Sequence, residues 1–173
     1  GGMAIDLSAT GDQIATFNGA ANAASQSGFQ HADLSGYAGN GAEITAHASG
    51  STIVGTAQVD SITGGIAADI ITGGVGADVM NISTSTALRD TITIAAGDSV
   101  GTPSGTGDAG TMTGHDVITG FNTGTTAALK DALNVAGTGA INAMGATDGA
   151  DSTLTVGGTV VGTHTTAADG EVT

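Results

Sequence analysis

Asp60, Asp69 and Asp78 recur at a spacing of nine residues, and they are the residues of this chain best placed to do chemistry. They lie in three consecutive nine-residue units that run without a gap from residue 55 to residue 81. The units are Gly55-Thr-Ala-Gln-Val-Asp60-Ser-Ile-Thr63, Gly64-Gly-Ile-Ala-Ala-Asp69-Ile-Ile-Thr72 and Gly73-Gly-Val-Gly-Ala-Asp78-Val-Met-Asn81. The first position is always Gly, the sixth always Asp and the eighth always apolar (Ile62, Ile71, Met80). A weaker unit covers 46–54, with Ser51 in the Asp slot and Ile53 in the apolar slot. Two carboxylates about 5 Å apart repel by roughly 3 kcal/mol at an effective dielectric of about 20. A cation between them removes that cost. Calcium suits the site, because it takes many oxygen ligands and accepts backbone carbonyls among them. The Gly-rich turns expose such carbonyls, so Gly55, Gly64 and Gly73 join the three aspartates as candidate metal ligands. Asp90 and Asp116 are each followed by x-Ile and are further candidates. Zinc is disfavoured: there is no Cys, and His31, His47, His115 and His164 are scattered. Magnesium wants a tight octahedron and keeps its waters. The plainer reading is that Gly-Asp turns close themselves with no metal. Asp98 and Asp108, in a loop, read as solvated.

The period predicts the elements that must position these groups. The first residues of each unit are Gly-rich and can take the positive φ of tight turns. The last three are β-branched or apolar and form a short strand. Two units make 18 residues, one flattened circuit with a turn on each side. Successive circuits stack by parallel pairing, about 4.8 Å apart. Asp60 and Asp78 then share one edge. Asp69 lies on the other, with Ser51 before it and Asp90 after it, the latter displaced by three residues. The eighth-position side chains form an inward aliphatic ladder. Further strands are expected at 3–9, 30–36, 42–46, 51–54, 90–94, 115–121 and 131–135. Residues 97–114 read as a loop, 123–131 as a helical turn, and 152–162 as a hairpin turning at Gly157-Gly158.

Composition narrows the rest. The chain has 173 residues, 31 of them Gly, with one Pro and no Cys. Sixteen acids face two bases, Arg89 and Lys130, for a net charge of −14. That balance excludes a nucleic-acid partner, since phosphate neutralisation needs Lys and Arg. No apolar run reaches the length of a membrane span. Aromatics are 2% (Phe17, Phe29, Phe121 and Tyr37), so the expected core is thin and aliphatic. Apolar residues make up 39%, more than acidic disorder allows. No metalloprotease, nucleophile-elbow or phosphate-loop motif is present, so the chain does not read as an enzyme. It lacks a basic and apolar leader, and its two ends read as cut from a longer polypeptide.

The unit 73–81 matches the pattern G-G-x-G-x-D-x-apolar-x at every fixed position. Unit 64–72 departs once, at Ala67, and unit 55–63 keeps only the Gly, the Asp and the apolar residue. The chain thus resembles the RTX calcium-binding β-roll proteins exported by bacterial type I systems. The stretch Gly28-Phe-Gln-His-Ala-Asp-Leu-Ser35 resembles segments that lead into such repeats in large surface proteins. Asp116-Val-Ile-Thr-Gly-Phe121 and Asp131-Ala-Leu-Asn-Val135 resemble strands that close the roll in serralysin-type proteases. The resemblance implies that Asp60, Asp69 and Asp78 are calcium ligands.

The expected fold is therefore all-β, a parallel β-solenoid or calcium β-roll. Residues 1–45 would be an irregular solenoid segment, 46–94 the repeat roll, and 95–173 a β-rich cap. The expected function is that of an extracellular, calcium-dependent structural protein at a bacterial cell surface. It would self-assemble as a homo-oligomer or polymer into a surface layer or fibre, with a cell-surface glycan as a further partner. The alternatives are the secretion module of an exported protease or lipase, and a segment of an adhesin.

Overall fold

A computed structural model describes residues 1–82, 88–104, 111–122, 130–135, 150–156 and 159–167. Among these residues the secondary structure is β-strand, with no helix. In chain order the strands are β1 (Met3–Asp6), β2 (Ile14–Phe17), β3 (Ala20–Ala21), β4 (Ala32–Asp33), β5 (Ala42–Thr45) and β6 (Thr52–Val54). Next come β7 (Ser61–Thr63), β8 (Ile70–Thr72), β9 (Val79–Asn81) and β10 (Thr91–Ile94). The remainder are β11 (Thr102–Ser104), β12 (Thr111–Thr113), β13 (Val117–Thr119), β14 (Ala132–Val135), β15 (Ala150–Val156) and β16 (Thr159–Ala167).

Two sheets carry the repeats. One runs β13-β9-β7-β5-β1-β2-β3 and the other β14-β10-β8-β6-β4. From β5 to β10 the chain alternates between them at every strand. Within each sheet the repeat strands pair in parallel. Glu43 aligns with Ser61 and Ser61 with Val79, offsets of 18 residues, and Thr52 aligns with Ile70 at the same offset. The offset grows to 21 where Ile70 meets Thr91, which is the three-residue displacement expected at Asp90. It grows further where Val79 meets Val117 and Thr91 meets Ala132.

Alternation along each short strand turns the middle residue inward. Ile44, Ile62 and Met80 align in one sheet, and Ile53, Ile71 and Ile92 in the other. All six are buried in a single apolar cluster, joined by Met3, Ile5, Leu7 and Ile82. The flanking strand residues face outward, so Ile70 and Val79 are exposed despite their apolarity. Leu133 is aligned with Ile92 yet 48% exposed, because β14 is the last described strand of its sheet.

Three expectations need correction. Residues 10–29, read as irregular, contain a hairpin: β1 pairs antiparallel with β2, and β2 with β3. Its two-residue turn is Asn18-Gly19, at φ 54° and 77°. Asn-Gly favours the mirror-image turn that matches strand twist. Residues 97–114 are not simply a loop, since β11 and β12 pair antiparallel across Pro103 and Met112. Proline is tolerated at the edge of a two-stranded ribbon. The hairpin expected at 152–162 is present but longer, as β15 and β16. Its turn and residues 123–129 of the expected helical turn lie outside the described residues.

The inward ladder sets the stability. Ile71→Ala should cost about 2–5 kcal/mol, through lost burial and the cavity left behind. Ile66, at 69% exposure, lies on a turn, and Ile66→Ala should stay within about 0.5 kcal/mol of the parent. Denaturant midpoints of the two variants, at equal calcium, check the contrast.

Candidate metal centre

Each repeat aspartate immediately precedes a strand, and its backbone and side chain work in opposite directions. The backbone carbonyl accepts from the first residue of the next strand in the same sheet. Val79 N–H donates to Asp60 O at 2.9 Å, Thr91 N–H to Asp69 O at 2.8 Å, and Val117 N–H to Asp78 O at 2.7 Å. The carboxylate is buried and accepts from the N–H at the start of the neighbouring strand that precedes it in the sheet. Along one edge Ala42 N–H donates to Asp60 Oδ1 (2.5 Å), Asp60 N–H to Asp78 Oδ1 (2.8 Å) and Asp78 N–H to Asp116 Oδ1 (3.0 Å). Asp116 N–H ends that file on Ser99 Oγ at 2.7 Å. Along the other edge Ser51 N–H donates to Asp69 Oδ1 (2.7 Å), Asp69 N–H to Asp90 Oδ1 (2.8 Å) and Asp90 N–H to Asp131 Oδ1 (2.9 Å). A buried N–H needs an acceptor, and the next aspartate supplies it.

The structure therefore brings the candidate aspartates together as two vertical files, Asp60–Asp78–Asp116 and Asp69–Asp90–Asp131. The repeat aspartates and Asp90 are buried, and Asp116 is half-buried. Gly55 and Gly73 are also buried, and the Gly73 carbonyl oxygen occupies the space a Cβ on Gly55 would need. Gly64 donates its N–H to Asn81 O at 2.9 Å.

The second carboxylate oxygens differ from turn to turn. Asp60 Oδ2 accepts from Thr56 N–H at 2.6 Å, and the Thr56 hydroxyl donates to the same carboxylate at 2.9 Å. Asp69 Oδ2 accepts from Gly65 N–H at 2.7 Å. Asp131 Oδ2 accepts from Asn122 N–H at 2.7 Å. Asp78 Oδ2 is buried and has no partner. A buried acceptor left unmade carries a full desolvation cost, greater for a charged group.

The charges agree with that picture. Burial is the first cause pushing the Asp78 carboxyl up to about 7, against the N–H of Asp60 that favours the ionised form. Asp116, Asp60 and Asp98 add like-charge repulsion. Burial likewise pushes Asp90 to about 6, with Asp131 and Asp69 adding to it. Asp69 and Asp116 are raised too, again chiefly by burial.

Sequence reasoning missed four members of this arrangement. Asp131 stands two residues before Leu133, the same Asp-x-apolar phrase as in the repeats, and that signal could have placed it. Thr56 occupies the second position of its unit, where the other units have Gly. Ser99 and Asp98 carry no sequence signal. Asp98, read as solvated, is half-buried: its Oδ2 accepts from Ala95 N–H at 2.9 Å and its carbonyl from Gly76 N–H at 3.2 Å. Asp108 lies outside the described residues.

The donor set can be tested against a cation. Among the described residues no three Asp, Glu, His or Cys side chains converge on one point. Backbone oxygens must therefore complete any coordination shell, which calcium tolerates. Two lie against the glycines of the Asp78 turn. The Thr56 carbonyl oxygen fills the space a Cβ on Gly74 would need, and Gln58 O lies 2.7 Å from where a Gly76 Cβ would sit. Gly74 adopts φ 101°, a conformation that favours Gly. A buried carboxylate with one unpartnered oxygen, on a turn packed against carbonyls of the adjoining turn, fits a hard, oxygen-seeking ion. Two imidazoles do other work: His31 Nδ1 accepts from Thr52 N–H and His47 Nδ1 from Ser49 N–H, whereas His115 Nδ1 is buried without a partner.

No protein-family model matches the chain, and no curated protein or solved structure is similar to it.

The raised carboxylates fix a pH dependence. An acid that titrates higher in the folded than in the unfolded chain favours folding while protonated. That contribution is complete below the ordinary Asp value of 3.8 and is lost as pH rises through about 6 for Asp90 and about 7 for Asp78. In chelator, the chain should be more stable to urea at pH 5 than at pH 8. Asp78→Asn should flatten the upper part of that slope. A urea midpoint that rises steadily from pH 5 to pH 8 in chelator contradicts it.

Proposed function

We propose that this chain is a calcium-folded structural module: a parallel β-solenoid of the calcium β-roll kind, exported to a bacterial cell surface and assembling there with its own copies. The alternation of strands between two parallel sheets, with 18-residue returns, supports the solenoid reading. The observation that carries the calcium reading is Asp78 Oδ2, buried without a donor in a field of other carboxylates. Either a proton or a cation must meet it, and at neutral pH outside the cell calcium is the abundant hard cation.

Calcium then acts through linkage. An ion that binds the folded chain and not the unfolded one adds its binding free energy to folding. Inside the cell, sites with dissociation constants of about 10⁻⁴–10⁻³ M stay empty, and a chain with net charge −14 remains extended and exportable. Outside, they fill and the stack forms.

Assembly draws on the same build. The outer faces and turns carry apolar residues, Ile66, Ile70, Val75 and Val79, on a chain with few large side chains. Ile70 lies in one sheet and Val79 in the other, so both sheets offer an outward apolar contact. Such faces let neutralised copies pack side by side into a layer or fibre.

Circular dichroism at pH 7.5 should show strand signal rising with millimolar calcium and collapsing in EGTA. Electron microscopy of the calcium form should show sheets or filaments. A spectrum unchanged by EGTA contradicts the folding role, and monodisperse monomers at millimolar calcium contradict the assembly role.

A further inference from the structure

The chain has only two bases, Arg89 and Lys130, and the fold brings them to one place. Each immediately precedes a buried aspartate at the start of a strand, Arg89 before Asp90 and β10, Lys130 before Asp131 and β14. Asp90 N–H donates to Asp131 Oδ1 at 2.9 Å, and Thr91 aligns with Ala132. The two bases therefore hold the same register position on neighbouring strands. Both are exposed, and among the described residues neither makes an ion pair. Leu88, beside Arg89, is exposed as well. Like charges on adjacent strands repel, and an acidic partner removes that cost.

The other sheet carries the opposite charge. Four described acids are exposed: Asp6, Asp12, Asp33 and Glu43. The first three close their own turns, accepting from the N–H groups of Ser8, Ile14 and Ser35. Glu43 has no such tie among the described residues. It stands on the outer face of β5, in a column with Ser61 and Val79. A trough of about 600 Å³ opens there, with Gly2, Gly41, Glu43, Val59, Ser61 and Val79 in its lining. Its floor is low, because the Val59 carbonyl oxygen occupies the space a Cβ on Gly41 would need. Val59 and Val79 are exposed apolar walls. Asp60 also lines the trough, and no base does. Such a trough fits a long cationic side chain, its stem along the valines and its charged head at Glu43.

We propose that copies of this chain dock through these two surfaces: Leu88, Arg89 and Lys130 of one copy seat in the Glu43 trough of the next. Charge complementarity selects the occupant, since every neighbouring copy brings its two unpaired bases on one exposed edge beside an apolar residue. The two patches lie on different sheets, so the contact is heterologous. Unless such a contact closes into a ring, it propagates as an open filament. The inference deepens the assembly reading above and rests on it, and it assigns that assembly one acidic and one basic surface.

Sedimentation velocity and electron microscopy of the full chain in millimolar calcium test it. Glu43→Lys and the double variant Arg89→Glu with Lys130→Glu should each raise the concentration needed for assembly by about tenfold or more, because each sets like charges face to face. Mixed in equal amounts, the two variants should assemble again, since each offers the charge the other lacks. All three side chains are exposed, so calcium-dependent circular dichroism of the variants should match the wild type. If a variant does not fold, carbodiimide coupling of the wild-type assembly, with isotope-labelled and unlabelled chains mixed, should still give a Glu43–Lys130 amide between copies. Unchanged assembly in both folded variants, no recovery on mixing, or absence of that amide overturns the docking pair and leaves self-assembly standing. A wild-type chain that stays monomeric in calcium overturns both. If that monomer binds a lysine-rich peptide and Glu43→Lys does not, the trough belongs to another cationic partner.

Discussion

Carboxylates that accept backbone N–H groups across the stack are the interaction on which this fold depends. At each turn the chain leaves the sheet, and its N–H would face inward without a partner. The aspartate of the next circuit fills that place, from Ala42 and Asp60 through Asp78 to Asp116, and from Ser51 through Asp69 and Asp90 to Asp131. The solution is directional, since each aspartate serves its predecessor and is served by its successor until Ser99 Oγ ends one file and the Asn122 carbonyl the other. It is also electrostatically costly. Hydrogen bonds to a carboxylate are worth more than those between neutral groups. Burial and like charge in file work against them.

The core is too plain to absorb that cost unaided. It consists of two columns of isoleucine with Met80 and a few leucine and methionine neighbours, and aromatics contribute only at its margin. Each strand contributes one inward side chain per circuit. The protein therefore relies on closing each turn well. Thr56 closes one with two donors and Gly65 another with one. At Asp78 the matching Gly74 has φ 101° and the second carboxylate oxygen is left without a donor. The difference is one of local backbone geometry: Gly65 and Gly74 share the second position, but Gly74 alone of the two has a positive φ, 101°, and the third unit alone has Gly at its fourth position, Gly76.

The repeat strands were legible because β-branched and apolar residues follow each aspartate at a fixed distance, so β7, β8 and β9 fall where the period puts them. The neighbours of Asp69 were legible for the same reason, since counting 18 backward reaches Ser51 and 21 forward reaches Asp90. The hairpin of β2 and β3 carried a signal in Asn18-Gly19, hidden by flanks of Ala, Asn and Ser without alternation. The loop reading of 97–114 rested on its Gly, Ser, Thr and Asp content, and only the pairing of β11 with β12 reveals strands there. The direction of the aspartate side chains was not legible. Spacing places carboxylates on one edge, but the groups they bind are backbone N–H, which every residue possesses. Asp98 was misread because its loop is polar, whereas its position comes from a contact with Gly76 distant in sequence.

A crystal grown in calcium chloride, with anomalous scattering measured and repeated with a lanthanide in place of calcium, is the most direct examination of the central claim. A strong peak is expected in the repeat block beside Asp78 Oδ2. A featureless map at that point, with Asp78 Oδ2 accepting a hydrogen bond from protein or water, contradicts it.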